Sequence, residues 1–531
     1  MASLKKLCDI LKENYKEFLI MSGISFLLYI PMISNELTNT YDGMWWGDYG
    51  FAGAWELSIG RWLWFYLDYF RRGVCAEPGI SLVSLLSINF GILILMELIG
   101  LKDKKTRYLS WLFLSCNTTV CIYLSFRYMS PTFTFSWLFS MLGVYFLRQF
   151  NSDNVDFIID QLLGIVCIAC SLGLYQANIG CTLFALSMLT IYIITNNTAA
   201  TLANILKKYL FNLMEVAISC ILYYLIWTAH LHLLHVDKQS YKGASDVSIL
   251  NMLKSLPLTI RQAYLSFFQY FATGQHNNIY QNYYSLLEVI ILIFVVLSIM
   301  KLLFLKISLN KRLFLIVLFV LLPVMCNVCL ILAPESGGMQ LQMTMPIAMF
   351  IPLDFIFLIP KYWKKSAVSN VFSKGFKCYT ATMYIAFSFI LFGNIMQISI
   401  DQHEMFQCRN TSIGLMNQII TNVEFTKKLN IKSDTQFVFV GVPTENYLYQ
   451  KDAVYYYANE YSHYGAFYTT GPGLPLSYAG YMRDCGLNIP IVQDTEEYHK
   501  ILDSIEVQEM PAYPAEGYAK MIDGYCVVKI S

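Results

Sequence analysis

Long apolar runs constrain this chain more than any other feature of its sequence. A helix needs about 17–25 apolar residues to cross a bilayer, and about eleven runs reach that length. They lie near residues 17–37, 80–99, 108–126, 131–148, 156–174, 177–195, 209–231, 284–305, 312–333, 338–359 and 376–399. Only 14% of the 531 residues are charged, whereas soluble proteins carry about a quarter. The sequence therefore predicts an all-α polytopic membrane bundle.

Lysine and arginine in the short connections predict the orientation, because these residues concentrate on the cytoplasmic side. With a cytoplasmic N-terminus, every strongly basic connection falls inside, including "LKDKKTR" at 101–107 and "LKISLNKR" at 305–312. The N-terminal lysines precede an apolar run without a small-residue cleavage site, so we predict an uncleaved first span. An odd number of spans then places the C-terminal residues outside.

The composition changes after residue 400. "DTQFVFVGV" and "GYCVVKIS" predict strands, "DTEEYHKILDSI" predicts a helix, and the glycines and prolines of "TTGPGLPLSYAGY" predict a loop. We therefore divide the chain into a membrane domain, residues 1–400, and a small extracytoplasmic α/β domain, residues 401–531.

Two long outer connections interrupt the membrane domain, near residues 38–79 and 232–283. The spacing of Arg61, Asp68 and Arg72 predicts that they share one face of a helix lying along the outer surface. The second connection predicts two amphipathic helices, the first of them capped by Ser245.

The stretch "NTYDGMWWGDYG" at 39–50 places two carboxylates, Asp42 and Asp48, around the pair Trp45 and Trp46. Paired aromatic residues anchor at a membrane–water boundary, where carboxylates are costly unless they have a function. More ionisable and amide side chains collect at the same predicted face: Glu56, Arg61, Arg127, Gln176, Asn178, Glu335, Gln340 and Gln342. Such a cluster is a site hypothesis.

Glycosyl transfer is a reaction that these residues can perform. A carboxylate takes the proton of the attacking hydroxyl, and cations stabilise the departing phosphate. Asp42 is predicted at the membrane depth where the base must act. Arg61 and Arg127 are predicted at the depth of the donor phosphate, so they are the candidate phosphate-binding residues. Asp48 and Glu56 are candidates to orient the sugar or to act as the base instead. The candidates for substrate binding are Trp45, Trp46, Gln176, Asn178 and Glu335.

Other interpretations stay open beside this one. Asp42 before Gly43 is typical of a turn, and Arg127 can extend to the surface without any ligand. A transporter or flippase of a lipid-linked sugar is the alternative function, although the paired repeats typical of transporters are missing from the sequence. A non-catalytic partner in glycan assembly is a third possibility.

Several other chemistries lack a motif in this sequence. HExxH, GxSxG and GxGxxG do not occur. His230, His232 and His235 do not converge on one face of a helix, so no metal site is predicted. The net charge of +1 gives no reason to expect a nucleic acid as partner.

The first outer loop is similar to that of a known family. "DGMWWGDYGFAGAWELSIGRWLWFYLD" resembles the bacterial Gtr-type glucosyltransferases, which are related to O-antigen-modifying enzymes and belong to the GT-C class. "RYMSPTF", "GLYQANIG" and "MPAYPAEGYAKMIDGYCVVKIS" add to the resemblance. It implies a GT-C-like bundle in the cytoplasmic membrane of a bacterium. It also implies that Asp42 takes the place of the acidic first-loop residue expected to be the base.

The combined expectation is an inverting glycosyltransferase that acts at the outer face of the membrane. It moves a hexose, glucose by the resemblance, from a polyprenyl-phosphate donor to a cell-surface polysaccharide or a lipid-linked glycan. Because the donor carries its own leaving-group phosphate, no metal or other cofactor is obligatory. The expected partners are the lipid-linked sugar and the glycan acceptor.

Overall fold

The computed structural model describes most of the chain. The described residues are 2–39, 50–148, 155–196, 200–239, 249–272, 293, 297, 307–333, 340–350, 352, 373–425, 429, 431–449, 473–484 and 486–531. Several residues named above lie outside them: Asp42, Trp45, Trp46, Asp48, Ser245 and Glu335.

The described part of the chain is mostly helical. Its helices before the C-terminal region are α1 (Ala2–Ser34), α2 (Ala54–Ser58), α3 (Trp62–Phe70), α4 (Gly79–Leu98), α5 (Lys104–Ser115), α6 (Thr118–Ser125), α7 (Ser130–Leu147), α8 (Val155–Leu174), α9 (Ile179–Asn196), α10 (Leu202–Leu234), α11 (Ile249–Ala272), α12 (Leu309–Cys326), α13 (Cys329–Leu332), α14 (Met345–Ala348) and α15 (Ser373–Phe425). Two 3-10 turns, Arg127–Met129 and Gln176–Asn178, lead directly into α7 and α9.

Seven helices among the described residues are long and apolar enough to cross a membrane. They are α1, α4, α8, α9, α10, α12 and α15, and each overlaps a predicted span, although α1 begins well before its span and α15 continues well past its own. The chain is therefore a membrane protein, whereas the count of about eleven spans stays a prediction. The predicted span 131–148 is helix α7, and most of 284–305 lies outside the described residues.

The predicted span 108–126 is broken into two helices, α5 and α6. Asn117 has extended backbone between them, and its side-chain oxygen accepts a hydrogen bond of 2.9 Å from the Thr119 amide. An asparagine in that position caps a new helix instead of continuing the old one. Hydropathy does not register this break, because the residues on both sides are apolar.

Helix α7 packs between α4 and α8 through small and hydrogen-bonding residues. Ser136 donates to the Ser171 carbonyl at 2.9 Å, and the Trp137 indole donates to the Ile88 carbonyl at 3.2 Å. Trp137 is fully buried. Small residues and interhelical hydrogen bonds hold helices together where lipid removes the hydrophobic driving force.

The first outer connection contains two helices, α2 and α3, instead of one continuous surface helix. The predicted shared face is wrong. Arg61 precedes α3, and Arg72 follows its end with a positive φ of 56°. Asp68 is buried and pairs with Arg71 at 2.8 Å.

The second outer connection is also simpler than predicted. Its two predicted helices are one continuous helix, α11, with Pro257 inside it. The proline removes one backbone hydrogen bond, and the packing of a buried face that includes Ala263, Phe267 and Tyr270 holds the helix together. The Asn327 amide fixes this helix to α12 by donating to the Ala263 carbonyl at 2.7 Å.

The C-terminal region contains a three-stranded sheet of order β1-β3-β2, with β1 (Phe437–Val440), β2 (Ala519–Ile522) and β3 (Tyr525–Lys529). β1 pairs in parallel with β3, and β2 pairs antiparallel to it. The helices here are α16 (Gly473–Asp484), α17 (Glu496–Leu502) and α18 (Ile505–Gln508). Both strands and the helix predicted from the sequence are confirmed. The loop predicted over 469–481 is wrong from Gly473 onward, because Pro475 lies in the first turn of α16, where proline is tolerated.

Helix α15 passes through the predicted domain boundary at residue 400 without a break. Its buried residues up to Met405 belong to the core of the membrane bundle, and those from Cys408 belong to the core under the sheet. One continuous helix therefore connects the two cores, and the division at residue 400 stays a prediction.

Candidate active site

The first-loop helices dock on the end of α10. The Trp227 indole donates a 2.7 Å hydrogen bond to the carbonyl of Leu57 in α2. In α3, the Trp62 ring stacks on His230 with centroids 5.7 Å apart, and the Tyr66 hydroxyl lies 2.6 Å from His230 Nε2. His230 therefore holds the loop in place. Among the described residues, no group of three or more His, Cys, Asp or Glu side chains is placed to hold a metal.

The turn between α2 and α3 rests on two side chains from other helices. Gln176 Nε2 donates to the Ile59 carbonyl at 2.8 Å and to the Tyr223 hydroxyl at 3.0 Å. Gly60 has a φ of +92°, and a Cβ atom at this position would overlap the Tyr223 hydroxyl and Gln176 Nε2. Only glycine fits here, and the turn sets the position of the next residue, Arg61.

We expect Gly60→Ala to destabilise the folded protein by about 2–4 kcal/mol, from the unfavourable φ and from overpacking. The new methyl group would push the turn off Tyr223 and Gln176. Thermal unfolding of the purified protein measures the change. Gly79→Ala is the control, because a methyl group added at Gly79 meets no other atom within 4 Å; equal stabilities of the two variants would contradict the role of the turn.

The Arg61 guanidinium is oriented by aromatic rings. It lies 5.7 Å from the centroid of Trp64 and 5.6 Å from that of Tyr175. Its Nε is buried without a hydrogen-bond partner, and in the part of the chain that the structure describes Arg61 pairs with no carboxylate. Rings attract a cation without neutralising its charge, so this guanidinium can still bind an anion.

Ring contacts connect Arg61 to the turn that carries Arg127. Trp64 lies against Tyr128 with centroids 5.8 Å apart, and Tyr175 meets Phe133 edge to face at 4.7 Å. Further members of this aromatic cluster are Tyr123 and Phe126, both of which contact Phe133. The structure therefore connects both predicted phosphate-binding arginines to one aromatic cluster: Arg61 contacts two of its rings just before α3, and Arg127 lies in the turn before α7.

Arg127 is buried and has acidic neighbours. Its Nη1 lies 3.5 Å from the Glu36 carboxylate, whose side chain is 47% exposed. Glu77 is also close: burial raises the pKa of its carboxyl group above the usual value, although hydrogen bonds from Ser81 and the charge of Arg127 offset part of this increase. Arg127 thus places a second positive charge beside the aromatic cluster, and the Glu36 carboxylate partly balances that charge.

The described residues on both sides of segment 40–49 are anchored by hydrogen bonds, one beside the turn of Arg127 and the other after α3. The backbone amide of Asn39 donates to the Ser125 carbonyl at 3.0 Å, and its side chain donates to the Ser125 hydroxyl at 3.1 Å. On the other side, the Gly50 amide donates to the Gly73 carbonyl at 2.9 Å. The described residues that flank the segment of Asp42 and Asp48 are therefore fixed near the turn at Arg127 and at the end of α3.

Asp68 and Arg71 form the anchor after this segment. Asp68 Oδ2 accepts a 2.7 Å hydrogen bond from the Ala52 amide, and Arg71 donates to the Tyr128 carbonyl at 2.6 Å. Neither residue was among the predicted site residues. "YFRRG" offers two adjacent arginines, and only the packing shows which of them turns inward.

Burial raises the pKa of Asp68 to about 6, although the charge of Arg71 and the Ala52 amide lower it. The folded protein then holds a proton between about pH 4 and 6 that the unfolded chain has released. Stability from this group is therefore greatest at low pH and falls as the pH rises through this window.

We expect Asp68→Asn to remove this part of the pH dependence of the melting temperature. The exposed Asp503→Asn should keep it, and identical profiles for Asp68→Asn and wild type would contradict the assignment.

The other predicted site residues have local partners. Glu56 caps its own helix by accepting a 2.7 Å hydrogen bond from the Gly53 amide at Oε2. Asn178 is buried, and its amide donates to the Phe133 carbonyl at 3.3 Å. Gln176 holds the Ile59–Arg61 turn. Gln176 thus holds the turn before Arg61, a ring contact between Trp64 and Tyr128 connects that region to the turn of Arg127, and Asn178 packs against α7.

A family model described as Glucosyl transferase GtrII matches residues 40–351, more than half of the chain. The chain belongs to this glucosyl transferase family. The match begins in the segment that carries Asp42 and includes both 3-10 turns, so it contains the anchored loop and both arginines. The resemblance to Gtr-type glucosyltransferases is confirmed. No curated protein and no solved structure matches the chain.

Proposed function

We propose that this GtrII family member transfers a hexose, most simply glucose, from a polyprenyl-phosphate donor to a glycan acceptor at the outer face of the bacterial cytoplasmic membrane. The acceptor is a cell-surface polysaccharide or a lipid-linked glycan, and the anomeric configuration is inverted. In this proposal the N-terminus is cytoplasmic and the C-terminal domain is extracytoplasmic, as the basic connections predict. The family membership supports glucosyl transfer.

The observation that carries the donor assignment is the pair of arginines at one aromatic cluster. Arg61 has no carboxylate partner among the described residues, and Arg127 is buried at the adjoining turn. A departing phosphate gains negative charge in the transition state, and preorganised cations lower that barrier. The cluster adjoins the ends of apolar helices, which is the depth of a lipid headgroup.

Asp42 is the proposed base, because a carboxylate must accept the proton of the attacking hydroxyl. Three residues of chain reach at most about 11 Å, which keeps position 42 within that reach of Asn39 and its anchor at Ser125. Asp48 and Glu56 are proposed to orient the sugar. Glu56 Oε2 caps α2, and its Oε1 accepts no hydrogen bond from the described residues.

The remaining residues have supporting roles in this proposal. Gln176 is a positioning residue, since it fixes the turn before Arg61 through the Ile59 carbonyl. Asn178 holds the start of α9 against α7 by donating to the Phe133 carbonyl. Trp45, Trp46 and Glu335 are proposed to contact the substrates, and no metal is required because the donor supplies its own leaving group.

The sugar composition of the surface glycan, with and without this protein, tests the proposal. We expect a side-branch hexose to disappear on deletion and to return with the wild-type gene. An unchanged glycan in a strain that normally produces the protein would contradict the proposed function. Loss of the whole polymer, with the hexose donor accumulating on the inner leaflet, would favour a flippase instead.

A further inference from the structure

Two cations lie side by side at the end of the bundle opposite the candidate active site. Arg148 follows the last residue of α7, about 30 Å along that helix from Arg127. Lys208, in the second turn of α10, donates through Nζ to the Arg148 carbonyl. We call Arg148 and Lys208 the cation pair. It lies on the side of the membrane that the basic connections predict to be cytoplasmic.

Neither member of the cation pair has a carboxylate partner among the described residues. Arg148 Nη2 is buried without a hydrogen-bond partner in this part of the chain, and the guanidinium lies 3.5 Å from the centroid of the buried Tyr145 ring. The ring fixes the guanidinium without neutralising its charge. The carbonyl that accepts from Lys208 is also neutral. Two like charges held this close repel each other unless an anion joins them.

The buried carboxylates at the same helix ends accept hydrogen bonds from neutral groups. Asp160 of α8 accepts a 2.5 Å hydrogen bond at Oδ2 from the Ser3 hydroxyl. Glu215, two turns further along α10 than Lys208, accepts a 2.7 Å hydrogen bond at Oε2 from the Gln161 side-chain amide. Because the fold leaves the cation pair without either acid, its counterion has to come from outside the protein.

The surroundings of the cation pair favour a lipid as the source of that anion. Arg148 and Lys208 are both partly exposed, so an anion can reach them. Leu206 and Leu210 of α10 and Ile158 of the adjoining α8 are exposed apolar residues beside them. Basic side chains between helices at the cytoplasmic side of a membrane bind anionic lipid headgroups, and the apolar side chains next to this pair suit the acyl chains of the same molecule.

We infer that the cation pair binds the phosphate of an anionic phospholipid in the cytoplasmic leaflet. Arg148 offers a planar fork of N–H donors to two phosphate oxygens, and Lys208 adds a compact positive charge. The bound phosphate replaces the repulsion between the two cations by the attraction of both to one anion, which holds the ends of α7 and α10 together. The site lies at the opposite end of α7 from Arg127 and is independent of the proposed function.

Thermal unfolding of the delipidated protein in a neutral detergent tests this inference. The probes are phosphatidylglycerol, phosphatidylcholine with the same acyl chains, and inorganic phosphate. We expect phosphatidylglycerol to raise the melting temperature of the wild type more than phosphatidylcholine does, and inorganic phosphate to leave it unchanged. The first comparison isolates the charge of the headgroup, and the second isolates the contribution of the lipid.

Arg148→Leu and Lys208→Met each remove one charge of the pair. The phosphatidylglycerol concentration that gives half of the increase should rise about fivefold for each, the usual contribution of one basic residue near anionic lipid. Lys207→Met is the matched control, because Lys207 is the exposed neighbour of Lys208 and its replacement removes the same charge. It should respond like the wild type.

Three results overturn the inference. The first is an equal response of the wild type to phosphatidylglycerol and phosphatidylcholine. The second is a loss in Lys207→Met as large as that in Lys208→Met, which indicates attraction to surface charge in general. The third is an equal increase from inorganic phosphate, which assigns the pair to a soluble anion. If Arg148→Leu does not fold, the comparison of Lys208→Met with Lys207→Met decides the outcome by itself.

Discussion

Replacing Asp42 with asparagine is expected to lower the turnover number of sugar transfer by about 10²–10⁴-fold, the usual contribution of a general base. The amide has nearly the same shape as the carboxylate but cannot accept the proton of the attacking hydroxyl. The measurement is the transfer rate at saturating donor with equal amounts of folded protein, checked by thermal unfolding. The Michaelis constant for the donor should change little, because Asp42 is assigned no donor contact.

Asp48→Asn is the matched comparison, since both acids lie in the segment anchored by Asn39 and Gly50. We expect a smaller loss for Asp48, whose proposed role is to orient the sugar. The opposite ranking, with Asp48→Asn inactive and Asp42→Asn close to wild type, would assign the base to Asp48. Full activity of both variants would remove this loop from the chemistry.

Arg61→Leu is expected to lower kcat/KM for the lipid-linked donor by about 10²–10³-fold, the effect of removing one preorganised charge-stabilising group. The guanidinium faces Trp64 and Tyr175 and has no carboxylate partner among the described residues, so no structural ion pair is lost with it. Arg61→Lys should recover part of the activity by restoring the charge. It should not recover all of it, because an ammonium group cannot bind phosphate with two parallel hydrogen bonds.

Arg72→Leu is the control for this substitution. Arg72 belongs to the same loop and also lies over an aromatic ring, 5.8 Å from the centroid of Tyr69, but it is exposed and follows the end of α3. It should transfer sugar at close to the wild-type rate. Equal losses for Arg61→Leu and Arg72→Leu would indicate a general effect of positive charge at the surface instead of a phosphate contact.

Properties that depend on a short stretch of chain could be predicted from the sequence. Seven apolar runs became seven helices, because length and hydropathy alone decide whether a helix can cross a membrane. β1, β3 and α17 were predicted correctly for the same reason, since each has a clear local pattern. The loop predicted over 469–481 failed because proline usually interrupts a helix, although it is tolerated in a first turn.

Properties that depend on packing could not be predicted. Gln176 was expected to contact a substrate, and the structure shows it holding the Ile59 carbonyl from another helix. Nothing in the apolar run around Tyr223 indicates its role. Its hydroxyl nevertheless occupies the space that a side chain at position 60 would need, which favours glycine there. Asp401 lies beyond residue 399, where the predicted last span ended, so the sequence analysis did not group it with Asn394. Only the continuous helix α15 shows that Asp401 shares a buried face with Asn394.

The lipid-linked donor is the central claim, and reconstituted transfer tests it most directly. Purified protein in liposomes receives surface glycan from cells that lack the protein, together with labelled glucose on either polyprenyl phosphate or a nucleoside diphosphate. We expect label to enter the glycan from polyprenyl-phosphate glucose alone, and Asp42→Asn to prevent it. Label that enters from the nucleotide sugar and not from the lipid would contradict the account.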